Sequence, residues 1–319
     1  MRPERRTELL VTLRDTPRRV EGLLRGQPRS VLAWIPAPGK WAILEIVRHL
    51  RDHETAACLD PYRRILAGER PALLDTDMRA PAAGHGSRSE PVSEVVRVWK
   101  RARREVVELL EGLDDGAWAL EARHPVAGPI ALAALVEMQL QHDRDHLGQI
   151  ESNLERRSIL DRLESVRRQM RERIELAAVV PGIDVRAHAL GEAVRLREFE
   201  SRMLARYVAI LEHERPELPP LDADTPFDPP AGADLLEMWR EFEQLRSGTL
   251  ELLHAMGAKL WQRRGVHPHR GDLTIAELVT QHLDHDAARL AALRALTERA
   301  PGAMLVRDVR PPEPPRPTA

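Results

Sequence analysis

Apolar residues recur at helical spacing from the start of the chain. Leu9, Leu10, Leu13, Val20, Leu23 and Leu24 form one stripe, which predicts a first helix from about Thr7 to Leu24. A Pro/Gly-rich connection follows at 27–39. Trp41, Leu44, Ile46, Val47 and Leu50 then open a second helix, expected to kink or restart at Asp60–Pro61 and to end at Arg70–Pro71. Residues 72–90 carry Pro81, Gly84 and Gly86 and read as a long loop. A third helix is expected over about Pro91–Leu110, with Val95, Val98, Trp99, Val106 and Leu110 inward, and a fourth over about Pro129–Asn153. Four helices of this length separated by breakers make one four-helix bundle.

The remainder repeats that order. Helices are expected near Ile159–Val179, Val185–His213 and Ala233–Met256, and from Thr274 onward, where Thr274 and Glu277 match a capping box. Shifting 124–147 by 143 onto 267–290 gives ten identities in 24 positions without a gap, among them His124, Pro125, Gly128, His142 and Asp143. ILAGERP at 65–71 matches ILEHERP at 210–216, and HLRDHE at 49–54 aligns with RLREFE at 195–200. The reading is an all-α chain of two tandem four-helix bundles, 1–153 and 154–306, the second standing to the first as the other half of a homodimer would. A Pro-rich tail follows at 307–319.

Composition agrees: 43% apolar residues with only 3% aromatic is a Leu/Ala/Val mixture suited to helix packing. Lys+Arg 48 against Asp+Glu 50 offers no electrostatic footprint for nucleic acid or an acidic membrane, and the charges read as solvated helix faces. A single cysteine, Cys58, rules out an intrachain disulfide and fits a reducing compartment, so a soluble, cytoplasmic protein is expected. Its apolar neighbours make Cys58 a buried structural thiol rather than a nucleophile. No signal peptide and no long uncharged apolar run is evident, and there is no phosphate-binding glycine loop, dinucleotide fingerprint or nucleophile elbow.

The histidines carry the chemistry. His142 and His146, four residues apart, lie one turn apart on a single helix face, as a metal requires of two helix-borne ligands; hydrogen-bonded surface histidines would have the same spacing. His49, beside Ile46, Val47 and Leu50, is the natural third member. WAILEIVRHLRDHE at 41–54, HP at 124–125 and HDRDHLGQI at 142–150 together resemble the DinB-like superfamily of bacterial four-helix bundles, unrelated to the polymerase sharing that name.

That resemblance implies a divalent metal on His49, His142 and His146, of which zinc, nickel, iron and manganese are all candidates. It also implies a small-molecule substrate, with a low-molecular-weight thiol joined to an electrophile as the leading candidate; a non-catalytic sensor or scaffold is the alternative. Glu45, one turn before His49, is the first choice for a supporting acceptor, with Asp52, Glu54, Asp143, Asp145 and Gln149 also near in sequence. His53 is an uncertain extra, and His85 in the long loop is expected to be exposed. In the second copy Arg195 stands opposite His49, Arg289 opposite His146 and His285 opposite His142, so one metal per chain is expected. His282 reads as a polar surface residue.

Overall fold

The first apolar stripe is the buried face of α1 (Pro3–Leu24), where Leu9, Leu13 and Val20 are fully inside. This computed structural model describes residues 2–73, 90–181, 183–221 and 229–298. His85, expected to be exposed, and the Pro-rich tail expected at 307–319 lie outside them. The chain divides into two units, Met1–Arg157 and Ser158–Ala319.

In the first unit a short α2 (Arg29–Leu32) leads to α3 (Ile43–His53). One π-helical stretch, Glu54–Leu59, joins α3 to α4 (Asp60–Leu66). The irregularity expected at Pro61 therefore starts earlier: Pro61 has no N–H to donate, and the Asp60 amide bonds five residues back to Thr55. α5 (Val92–Leu110) buries Val95, Trp99, Val106 and Leu110 as the pattern requires, and α6 (Asp115–Trp118) is capped by the Asp114 side chain.

The expectation of an all-α fold holds, with two short hairpins added to the helices. The protein is mostly helical, but β1 (Glu121–His124) and β2 (Gly128–Ala131) form an antiparallel hairpin in register His124↔Gly128. The HP motif builds its turn: His124 Nδ1 accepts the amides of Val126 and Ala127 at 3.2 and 3.0 Å, and Gly128 takes a φ of 73° that a side chain would strain. These are turn residues, so the identities His124, Pro125 and Gly128 report backbone geometry.

α7 (Leu132–Val179) then runs without interruption through the expected break after Asn153. SNLERRSIL at 152–160 contains no glycine or proline, and nothing local ends a helix there.

The second unit contains the remainder of α7, then α8 (Ile183–Glu212), α9 (Leu235–Ala255), α10 (Ala258–Trp261), a hairpin of β3 (Arg264–His267) and β4 (Gly271–Thr274), and α11 (Ile275–Glu298). Its core includes Met170, Ile174, Trp239, Phe242 and Leu293. The Thr274/Glu277 capping box is formed in both directions. Among the described residues no helix is long and apolar enough to cross a membrane.

Candidate metal centre

α3 buries Ile43, Ile46, Val47 and Leu50, and the same face turns His49 inward. α7 presents His142 and His146 toward it. One nitrogen from each of the three rings lies within 4.8 Å of the others, and His49 Nε2 is 2.8 Å from His142 Nε2. Metal–nitrogen bonds of ~2.1 Å at a tetrahedral angle place nitrogens ~3.4 Å apart, so small side-chain adjustments suffice to seat a divalent ion. His146 Nδ1 is 3.0 Å from Gln149 Oε1 and donates to it, which leaves Nε2 free of its proton for a ligand. His142 Nδ1 is buried without a hydrogen-bond partner. The donor set fits a borderline metal.

Electrostatics prepare the rings for that role. Burial, then the neighbouring imidazoles, hold His142 down at about 2. Burial likewise lowers His146 against the opposing pull of Gln149 and Asp145. Both rings are neutral at pH 7 and offer lone pairs. Trp41 covers the cluster, its ring parallel to His146 at 5.8 Å and 4.8 Å from His49, while its carbonyl accepts from Asn153.

Several of the expected supporting residues are engaged elsewhere. Glu45 does not serve the histidines: its Oε2 accepts the Ala42 amide at 2.8 Å and caps the start of α3. Gln149 holds that position instead. Asp145 accepts from Gln141 and Asp52 from Arg51. His53 stays outside the three-nitrogen cluster; its ring stacks on His142 at 3.9 Å, and its Nδ1 lies 3.6 Å from the Cys58 sulfur. Cys58 is buried, and burial with the nearby Glu54 carboxylate pushes its thiol well up, as an inert structural cysteine requires.

Not all charges are solvated faces. Glu54, Arg103 and Asp143 are almost wholly buried. Arg103 donates to Glu54 at 2.7 and 2.5 Å, to Asp143 at 2.7 Å and to the Leu13 carbonyl at 2.9 Å. Gln139 also donates to Glu54, and Tyr62 to Gln139. Burial would lower the guanidinium, but Glu54 and Asp143 more than offset it and hold Arg103 well above its usual range. Because Asp143 follows His142, this network fixes the α7 end of the site to α5 and the π-helical stretch.

The second unit contains a similar buried network. Arg246 bonds Glu200 and Asp286 at 2.8 and 2.9 Å. His282 donates from Nε2 to Glu200 at 2.9 Å and accepts the Tyr207 hydroxyl proton at Nδ1, 3.2 Å away. His282 is thus fully buried, contrary to its reading as a surface residue. Arg195 and Arg289 pair with one carboxylate, Glu192, at 2.7 and 3.5 Å. His285 stacks on Phe199 at 3.6 Å. Among the described residues His49, His142 and His146 form the one histidine- or carboxylate-based cluster with metal-holding geometry.

Arg103 and Trp41 escaped the sequence reading because one looked like a surface cation and the other like the first apolar residue of a helix. The sequence alignment held a signal for Arg103: a shift of 143 lands on Arg246, which bonds Glu200 and Asp286.

Among solved structures, YfiT from Bacillus subtilis, described as "a probable metal-dependent hydrolase with an unusual four-helix bundle topology", is 19% identical, with 50% of this chain and 90% of that chain covered and a TM-score of 0.46. No curated protein sequence matches the chain. The model of the DinB superfamily matches residues 12–150, a stretch that contains His49, His142 and His146. Residues 12–150 of the first unit are therefore similar to the DinB superfamily.

Proposed function

We propose that this protein is a metal-dependent enzyme that activates a small thiol, or water, for attack on an electrophilic substrate, with His49, His142 and His146 as the metal's protein ligands. The observation that carries the reading is the convergence of three imidazoles from two different helices. A divalent ion bound there would keep coordination positions open and lower the pKa of a bound thiol or water toward neutrality.

The chain's own residues supply the rest. Gln149 fixes the tautomer and orientation of His146, Trp41 keeps bulk water from His49 and His146, and the Arg103 network holds α7 in place against α5. Cys58 is not the nucleophile, because a buried thiol with a raised pKa is both inaccessible and protonated. The preference for a thiol over water comes from the family resemblance and not from a contact in the site.

Elemental analysis of purified protein, followed by conjugation assays with several low-molecular-weight thiols and ester hydrolysis assays, tests the proposal. Activity that requires metal and each of the three histidines, and that survives Cys58→Ala, is the expected result. A stoichiometric metal with no turnover of any thiol or ester would favour the scaffold reading.

A further inference from the structure

Where the first unit gathers three imidazoles, the second gathers two guanidiniums. The alignment of 49–54 with 195–200 sets Arg195 opposite His49, and the shift of 143 sets Arg289 opposite His146. Flanking contacts keep the same order: Phe199 stacks on His285 as His53 does on His142, and Arg246 joins Glu200 to Asp286 as Arg103 joins Glu54 to Asp143. The surroundings are preserved while the sign of the charge required of a ligand has inverted.

The cluster is incomplete in its own hydrogen bonds. Arg195 Nη1 meets Glu192 Oε1 at 2.7 Å, and Arg289 Nη1 reaches Glu192 Oε2 only at 3.5 Å. Among the described residues Glu192 is the one carboxylate bonded to both, so two positive charges face one negative charge. His285 adds no further positive charge, since burial lowers its pKa. Arg289 Nε is buried without a partner, an unmet donor of the kind that folded proteins seldom leave. The guanidiniums remain reachable, with 38% and 22% of the Arg195 and Arg289 side chains exposed. In the register of Arg195, the position of Trp41, which covers the histidines in the first unit, is taken by exposed Ala187. An indole-sized cover is absent from that position.

We infer that Arg195 and Arg289 form a binding site for a small oxoanion, a carboxylate or a phosphate, at the second unit's counterpart of the histidine cluster. Two planar guanidiniums match the paired oxygens of such a group, and an excess of one positive charge favours it. Glu192 acts as an internal competitor, holding the arginines together when no ligand is present. The site is independent of metal in the first unit.

The test uses the full chain, stripped of metal and dialysed free of chelator. Thermal melting is followed as sodium acetate or inorganic phosphate replaces chloride at constant ionic strength and pH 7. Saturable stabilisation is expected, and the anion that saturates at lower concentration identifies the source chemistry. Arg195→Gln with Arg289→Gln should abolish it while the far-UV spectrum is retained. Glu192→Gln should strengthen binding roughly ten-fold, because the guanidiniums lose their competing carboxylate. A purely structural ion pair gives the opposite result. No stabilisation beyond that of chloride, an effect that persists in the double arginine variant, or unchanged or weaker binding in Glu192→Gln would each overturn the inference.

Discussion

The imidazole of His53 lies nearly parallel to that of His142, with centroids 3.9 Å apart and 17° between planes. In the second unit Phe199 and His285 form the same stack at 3.6 Å and 5°. A phenyl ring cannot bind a metal, so the shared property is a flat surface that orients the second ring. His53→Phe should therefore leave metal content unchanged. His53→Ala should loosen metal binding and remove a stack worth about 0.5–1.5 kcal/mol. Elemental analysis and denaturant titration check both, and loss of metal in His53→Phe would make His53 a ligand.

The buried Glu54–Arg103–Asp143 network sets a second expectation. Arg103→Met leaves two carboxylates facing one another without water, and a loss of about 3–5 kcal/mol follows. Replacing all three members with apolar residues of similar volume should recover much of that loss, because the desolvation cost disappears with the charges. Urea unfolding of the two variants measures the difference. Equal destabilisation in both would show that packing rather than charge carries the effect.

The helices were readable because each has a one-sided apolar stripe: Leu9, Leu13 and Val20 on α1, and Val95, Trp99 and Val106 on α5, are buried as their spacing demands. The three histidines were readable because i,i+4 spacing and an inward neighbourhood act locally. What escaped depends on partners distant in sequence. Arg103 has the composition of a surface cation until Glu54 and Asp143 arrive from two other segments, and His282 resembles a polar surface residue until Glu200 and Tyr207 enclose it. Glu45 was misassigned for the opposite reason, since a local demand, the free amide of Ala42 at the helix start, claimed it first. The hairpins were hidden because strands of four residues contain too little alternation to register.

Acid should weaken the first unit in a definite window. His53 and His142 are held at about 3 and about 2, largely by burial, against about 6.5 in an unfolded chain. Between these limits the unfolded chain binds more protons, so stability rises with pH there. The contribution is fully present above pH ~6.5 and is lost as pH falls toward 3, with a slope no steeper than about 2.7 kcal/mol per pH unit for two protons. Metal-free protein should show this in urea titrations from pH 7 to 4. Bound metal should steepen the loss, because protons compete for the same lone pairs. A flat profile would mean that the rings are not buried neutral.

Metal stoichiometry separates the two units. One ion per chain is expected, raising the melting temperature through its preference for the folded state. His142→Ala should remove it and His285→Ala should not, since His285 stacks on Phe199 and arginines stand at the positions aligned with His49 and His146. Elemental analysis that finds two ions per wild-type chain, or none in His285→Ala, would contradict the assignment.

The π-helical stretch permits a sharper test of what positions His49. Glu54 aligns with Glu200 at a separation of 146, but Tyr62 aligns with Tyr207 at 145, so the first unit has one extra residue between two anchors of its buried network. Both anchors are engaged: Glu54 by Arg103, and Tyr62 by Gln139 at 3.1 Å. A one-residue insertion in a helix is absorbed as a π turn without rotating the flanking segments, and Glu54–Leu59 is that turn. Deleting exposed Ala56 should therefore restore the spacing of the uninterrupted α8, keep His49 in register and preserve the metal-dependent rise in melting temperature. Deleting Arg51 has no such outlet. It lies between His49 and the Glu54 anchor, and removal of one residue turns His49 by about 100° from the face shared with His142. That variant should melt identically with and without metal. Loss of the metal response in both deletions would show that the π turn itself shapes the site, and retention in both would show that α3 can slip past its anchor.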